Sequence, residues 1–160
     1  MIKKKNSIIL IFILAIISLG LISALFIEYG LNHKPCKLCL YQRIPYVIAI
    51  ILIVRILFFE HYRKTILLIL SIIFAISGVL AFYHFGIEKG FFSELSTCTT
   101  QSSLDGLSKE QILKELKQNN ISCKNVDFKI IGLSLATINT IFSFILSFVF
   151  IKLFRNYKEV

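Results

Sequence analysis

Charge is what this 160-residue sequence has least of: 17% of its residues are charged and 56% hydrophobic, against about 25% and about 45–50% in an ordinary soluble domain. The shortage is uneven. Ile8–Ile27 and Ile130–Ile151 contain no acid or base, Thr65–Phe85 contains only His84, and Ile44–Phe59 only Arg55. A helix needs about 20 apolar residues to cross a hydrocarbon layer of about 30 Å. Three stretches are long enough, and the second becomes so with Leu40–Ile44. The alternation of barrel strands is missing, and backbone inside lipid must be bonded internally, so helices remain. The expected fold is an all-α membrane protein, one four-transmembrane-helix domain spanning about 1–160, with helices about 8–28, 40–59, 65–85 and 130–151.

Acids are scarce on one side of those helices. Lys3, Lys4, Lys5, Arg55, Arg63, Lys64, Lys152, Arg155 and Lys158 meet only Glu60 and Glu159, nine bases against two acids and hence +7. On the other side, six lysines between Glu88 and Lys129 face six acids. Short cytoplasmic loops are basic, so both termini are expected in the cytoplasm and the loops about 29–39 and 86–129, one short and one long, on the outer side. Membrane orientation thus accounts for the net charge of +9, and a nucleic-acid partner is not expected.

No A-x-A site follows the first apolar run, which at about 20 residues exceeds the usual 7–15 of a signal peptide, so it is read as a retained helix. There is no internal repeat and no low-complexity segment. In the long loop Ser108-Lys109-Glu110-Gln111 has the form of a capping box, with Leu107 and Ile112 at the staple positions. A helix is expected from Lys109 to about Gln118, lying either on the membrane surface or as an ordinary loop helix.

Cysteine is absent from every span and from the cytoplasmic side. All four, Cys36, Cys39, Cys98 and Cys123, fall in the two loops assigned to the outer side, as exposed cysteines do where they can pair in an oxidising compartment. Cys36 and Cys39 form a C-x-x-C, in which neighbouring amides and a helix start favour the reactive thiolate. Cys98 and Cys123 are separated on the long loop, an arrangement suited to a disulfide that opens and hands electrons on. Zinc is the sharpest competitor. Structural zinc often uses two C-x-x-C knuckles, whereas 24 residues part the second pair here, so redox chemistry is preferred and no metal is assigned.

Arg43 stands four residues after Cys39. If the second helix has begun by then, the two share a face and the guanidinium could stabilise a Cys39 thiolate or an electron-rich carbonyl oxygen. If the helix starts at Pro45, which suits a first helical position, the alignment is lost and a snorkelling base remains. His84 closes the third span as either a quinone donor and proton carrier or an interfacial polar tip. Glu88 and His33 are read as solvated, and Glu28 as an interfacial acid.

The run Pro35-Cys36-Lys37-Leu38-Cys39-Leu40-Tyr41-Gln42-Arg43-Ile44-Pro45-Tyr46 resembles the signature of the DsbB family, bacterial inner-membrane thiol:quinone oxidoreductases that reoxidise the periplasmic dithiol oxidase DsbA. Tyr83-His84-x-Gly86-x-Glu88 is similar to a second family motif, and Gly132-Leu133-Ser134-Leu135-Ala136 with Asn139 resembles the start of the family's fourth helix. One departure is Lys89, where many members carry tryptophan; this chain has none. The resemblance implies a relay. DsbA would form a mixed disulfide with Cys98, Cys123 would pass electrons to Cys36, and Cys39 would be freed beside ubiquinone or menaquinone from the membrane pool. Arg43 would hold the quinone, with His84 its neighbour. A vitamin K epoxide reductase-like enzyme is the rival within the same chemistry, opposed by cysteine order. A membrane subunit with loop-bracing disulfides is the non-enzymatic one.

Overall fold

The computed structural model describes residues 2–32, 35–59, 62–93, 129–130 and 133–157, with backbone only for 2–6 and 129–130. Cys98, Cys123 and the capping box at Ser108–Gln111 lie outside the described residues. Four long helices dominate: α1 (Ile2–Tyr29), α2 (Lys37–Phe58), α3 (Arg63–Glu88) and α4 (Leu135–Arg155). Each is long and apolar enough to cross a membrane. The apolar surface is turned outward, as in lipid: Phe12, Phe26, Ile51, Ile76, Val79 and Phe148 are 62–67% exposed. Water would not tolerate so continuous a patch.

Two helix starts differ from the pattern of apolar runs. The fourth run begins at Ile130, yet α4 begins at Leu135. Ser134 caps it by accepting the Thr137 N–H at 3.2 Å. Before the cap, Lys129–Ile130 (β1) pairs antiparallel with Leu133–Ser134 (β2). At the other end of the chain α1 runs back to Ile2, because lysine is a good helix former and continues the helix through Lys3–Lys5.

α3 is the central helix. In its most apolar window 44% of residues are buried, against 17–22% in the other three. The core joins Leu10 and Ile17 of α1, Ala49, Ile53 and Ile56 of α2, Leu70 and Phe74 of α3, and Leu146 and Phe150 of α4. Phe74 stacks on Phe150 at 5.6 Å and meets the Tyr46 ring edge-on at 5.4 Å. Lipid removes the hydrophobic drive for helices to associate, so packing and hydrogen bonds hold them. Ser71 Oγ donates to the Ser147 carbonyl oxygen at 3.1 Å and Ser147 Oγ donates back to the Ser71 carbonyl oxygen at 2.9 Å. Such a bond contributes about 0.6 kcal/mol.

The ends of the bundle differ in chemistry. Arg55, Arg63, Lys64, Lys152 and Arg155 gather where α2 and α4 end and α3 begins. Cys36 and Cys39 sit at the opposite end, where α3 stops in a Schellman motif. Gly90 adopts φ +78°, its N–H donates to the Ile87 carbonyl oxygen at 3.0 Å, and the Phe91 N–H donates to that of Gly86 at 2.8 Å. The Phe92 ring then folds over Gly86 so closely that an added Cβ would lie 2.1 Å from its Cδ2. Both glycines follow from this reversal. Gly90→Ala should destabilise the folded protein by about 1–2 kcal/mol through its left-handed backbone, read as a lower midpoint of thermal unfolding in detergent.

Candidate functional site

The C-x-x-C opens α2. Cys36 is its N-cap, with extended backbone at φ −67° and ψ 164°, and its Sγ accepts the Cys39 N–H at 3.2 Å as a capping serine oxygen would. The helix has therefore begun well before Pro45, and Cys39 and Arg43 stand one turn apart on one face. Pro45 lies inside α2, giving up the bond that its nitrogen would make to the Tyr41 carbonyl oxygen.

The Cys39 sulfur is 2.6 Å from that of Cys36, and His84 Nε2, from α3, approaches Cys36 Sγ at 3.6 Å. Cys36 is 6% exposed and His84 3%, while Cys39 is half-buried. Donation from the Cys39 thiol, supplemented by the His84 ring and the Cys39 N–H, outweighs burial and brings the Cys36 thiol from 9.0 down to about 5. The start of a helix adds its own preference for a negative sulfur.

The two sulfurs and Nε2 all lie within 4.8 Å of one another, a donor set that a soft metal could use. Two thiolates on a tetrahedral zinc, however, stand about 3.8 Å apart at about 2.3 Å from the ion. Here they are 2.6 Å apart. The two sulfurs stand within easy reach of one another, as thiol–disulfide exchange requires.

This arrangement coincides with a match to a known family: residues 5–153 fit the family described as disulfide bond formation protein DsbB. The chain belongs to the DsbB family. An uncharacterized protein of Rickettsia prowazekii (strain Madrid E), RP370, is 30% identical over 161 residues, covering 99% of this chain and 93% of its own length. No solved structure matches. DsbB membership and the four apolar helices make this a multi-pass membrane protein of disulfide bond formation, an oxidoreductase.

Of the six residues singled out in this DsbB chain, the structure brings Cys36, Cys39 and His84 together. Arg43 reaches α1, where it donates to the Glu28 carboxylate and, at 3.4 Å, to the Ala24 carbonyl oxygen. Glu28 is thus the partner of Arg43 rather than a lone interfacial acid. Glu88 is not solvated either: its side chain is 7% exposed, with Oε1 at 3.7 Å from His84 Nε2.

The sequence reading passed over Gln42. Its Nε2 is 3.1 Å from His84 Nδ1, and its Oε1 accepts from Asn139 Nδ2 at 2.8 Å. Asn139 in turn accepts from Tyr46, whose hydroxyl also lies 3.1 Å from Ser143 Oγ. The available signal was a polar side chain inside an apolar span, which in lipid is retained for a partner.

The Cys36 thiolate contributes stability to the reduced protein that is complete above its unfolded value of 9.0 and is lost as the pH falls through about 5. Iodoacetamide labelling of reduced protein, followed by mass spectrometry, should show Cys36 reacting on a plateau at neutral pH and halving near pH 5. A midpoint near 9 would contradict the thiolate.

Proposed function

We propose that this chain is a thiol:quinone oxidoreductase of the bacterial inner membrane that reoxidises a periplasmic DsbA-like dithiol oxidase. The observation that carries the reading is the Cys36–Cys39 pair at the membrane boundary, with its sulfurs 2.6 Å apart and one of them stabilised as a thiolate. The gathering of bases at the far end of the bundle supports cytoplasmic termini and periplasmic cysteines.

The relay conserves electrons at each exchange. A thiolate of the partner attacks Cys98 of the Cys98–Cys123 disulfide, and the partner's second thiol resolves the mixed disulfide, leaving the partner oxidised and both loop cysteines reduced. Cys123 then attacks Cys36 Sγ, the Cys36–Cys39 bond breaks, and Cys39 departs as a thiolate that takes a proton. Cys98 displaces Cys36 from Cys123, restoring the loop disulfide and releasing the Cys36 thiolate. A quinone supplies the acceptor for the two electrons of the reduced pair, whose disulfide then re-forms.

The residues present fit such a molecule. Cys39 is half-buried at the outer end of α2, and Leu40, Tyr41 and Ile44 around it are 46–52% exposed toward lipid, open to an apolar ring arriving from the bilayer. Arg43 has five N–H donors, more than Glu28 and Ala24 engage, and can hold a quinone oxygen beside Cys39. His84 is packed against the sulfurs, where it holds the Cys36 thiolate. Ubiquinone and menaquinone both suit this chemistry.

Purified protein given a reduced DsbA-like partner should reduce a quinone, followed by absorbance, and Cys39→Ser should abolish turnover. Full turnover in Cys39→Ser would sink the relay. Arg43→Gln should raise the KM for quinone about tenfold, the loss of one hydrogen bond from a charged donor.

A further inference from the structure

The bundle interior holds a chain of side-chain hydrogen bonds whose direction can be read link by link. Tyr46 donates its hydroxyl hydrogen to Asn139 Oδ1, and Ser143 Oγ reaches the same oxygen at 3.4 Å. Asn139 Nδ2 donates to Gln42 Oε1 at 2.8 Å. That leaves the Gln42 amide nitrogen, 3.1 Å away, facing His84 Nδ1. An amide nitrogen only donates, so Nδ1 must accept. A neutral imidazole that accepts at Nδ1 carries its hydrogen on Nε2, and Nε2 is the atom 3.6 Å from Cys36 Sγ.

We infer that Gln42, held by Asn139, fixes the His84 tautomer so that Nε2–H is presented to the Cys36 sulfur. This deepens the relay proposed above, since it assigns to Gln42 the task of keeping Cys36 a thiolate after each exchange. Gln42 touches neither sulfur and acts through the ring. Its reach is set by helix geometry: Gln42 and Tyr46 are one turn apart on α2, and Asn139 and Ser143 one turn apart on α4, so the two helices face each other with two polar layers.

Among the described residues, the charged and titratable groups facing the ring are Cys36 and Cys39 from the start of α2 and Glu88 from its own helix. Glu88 Oε1, 3.7 Å from Nε2, competes with Cys36 Sγ for the same hydrogen. Both acceptors lie on the Nε2 side, and neither can take a hydrogen from Nδ1. Reversal of the chain requires both amides to turn over together. The ring would then carry Nδ1–H and offer Cys36 a lone pair, which repels a thiolate.

The test needs neither quinone nor partner, so its outcome is separate from that of the relay. In histidine-labelled, reduced protein in detergent, two-bond proton–nitrogen spectra distinguish the tautomers. His84 is one of three histidines and is assigned by its disappearance in His84→Gln. The wild type should show a protonated Nε2 and a bare Nδ1. Gln42→Met, which keeps the volume and removes the donor, should mix the tautomers and slow Cys36 alkylation at pH 6 to about half, a rise of about one unit in its pKa. Gln42→Glu, equal in size but an acceptor, should place a hydrogen on Nδ1, which keeps the inference open to refutation if the methionine variant fails to fold. A wild-type ring protonated at Nδ1 would overturn the inference. So would a folded Gln42→Met protein with unchanged spectrum and alkylation profile, or a Gln42→Glu protein with Nδ1 still bare.

Discussion

A polar side chain inside a bilayer has to find its partners within the protein, and this constraint arranges the cysteine end of the bundle. Water cannot repair an unmet donor there, so polar groups of one helix are turned toward those of another. α2 brings Gln42 and Tyr46, α3 brings Ser77 and His84, and α4 brings Asn139 and Ser143, with Ser77 and Ser143 meeting at 3.4 Å. The sulfur of Cys36 lies at the end of this series. Its electronic state is therefore tied to packing several turns deep, although the C-x-x-C itself is at the boundary.

Much of this was legible because it is carried by composition and local spacing. Uncharged runs announced four helices, and the sorting of bases announced a basic end of the bundle. The C-x-x-C marked the reactive pair. What was not legible depends on which helix faces which. Glu28 and Arg43 are fifteen positions apart, and Gln42 and Asn139 ninety-seven, and nothing local in either residue names its partner. Glu88 looked solvated because a glutamate at a helix end usually is. Here it stands one helical turn after His84 on the same face of α3, beside a buried ring. The start of α4 failed differently: Ile130–Ser134 is as apolar as the helix that follows, and the cap at Ser134 outweighs hydropathy.

The pairing of Arg43 with Glu28 also answers an electrostatic difficulty. An isolated guanidinium near hydrocarbon is costly, and pairing it across α1 and α2 removes most of the net charge while leaving donors on its free edge. The same pair ties α1 to the redox helix. α1 is otherwise among the least buried of the four, so this contact gives it a defined place at the cysteine end.

The reciprocal serines of α3 and α4 work as a dowel through two beams. Each donates to the carbonyl of the other, so sliding either helix along its axis breaks both bonds at once. Asn139 stands eight residues along α4 from Ser147, about 12 Å, and a helix transmits axial displacement over that span almost rigidly. A slip of one residue at the dowel would carry Asn139 about 1.5 Å past Gln42, stretching and tilting a bond now 2.8 Å long toward the limit of hydrogen bonding. Two hydroxyls that touch no reacting atom thus set the alignment tolerance at the sulfur.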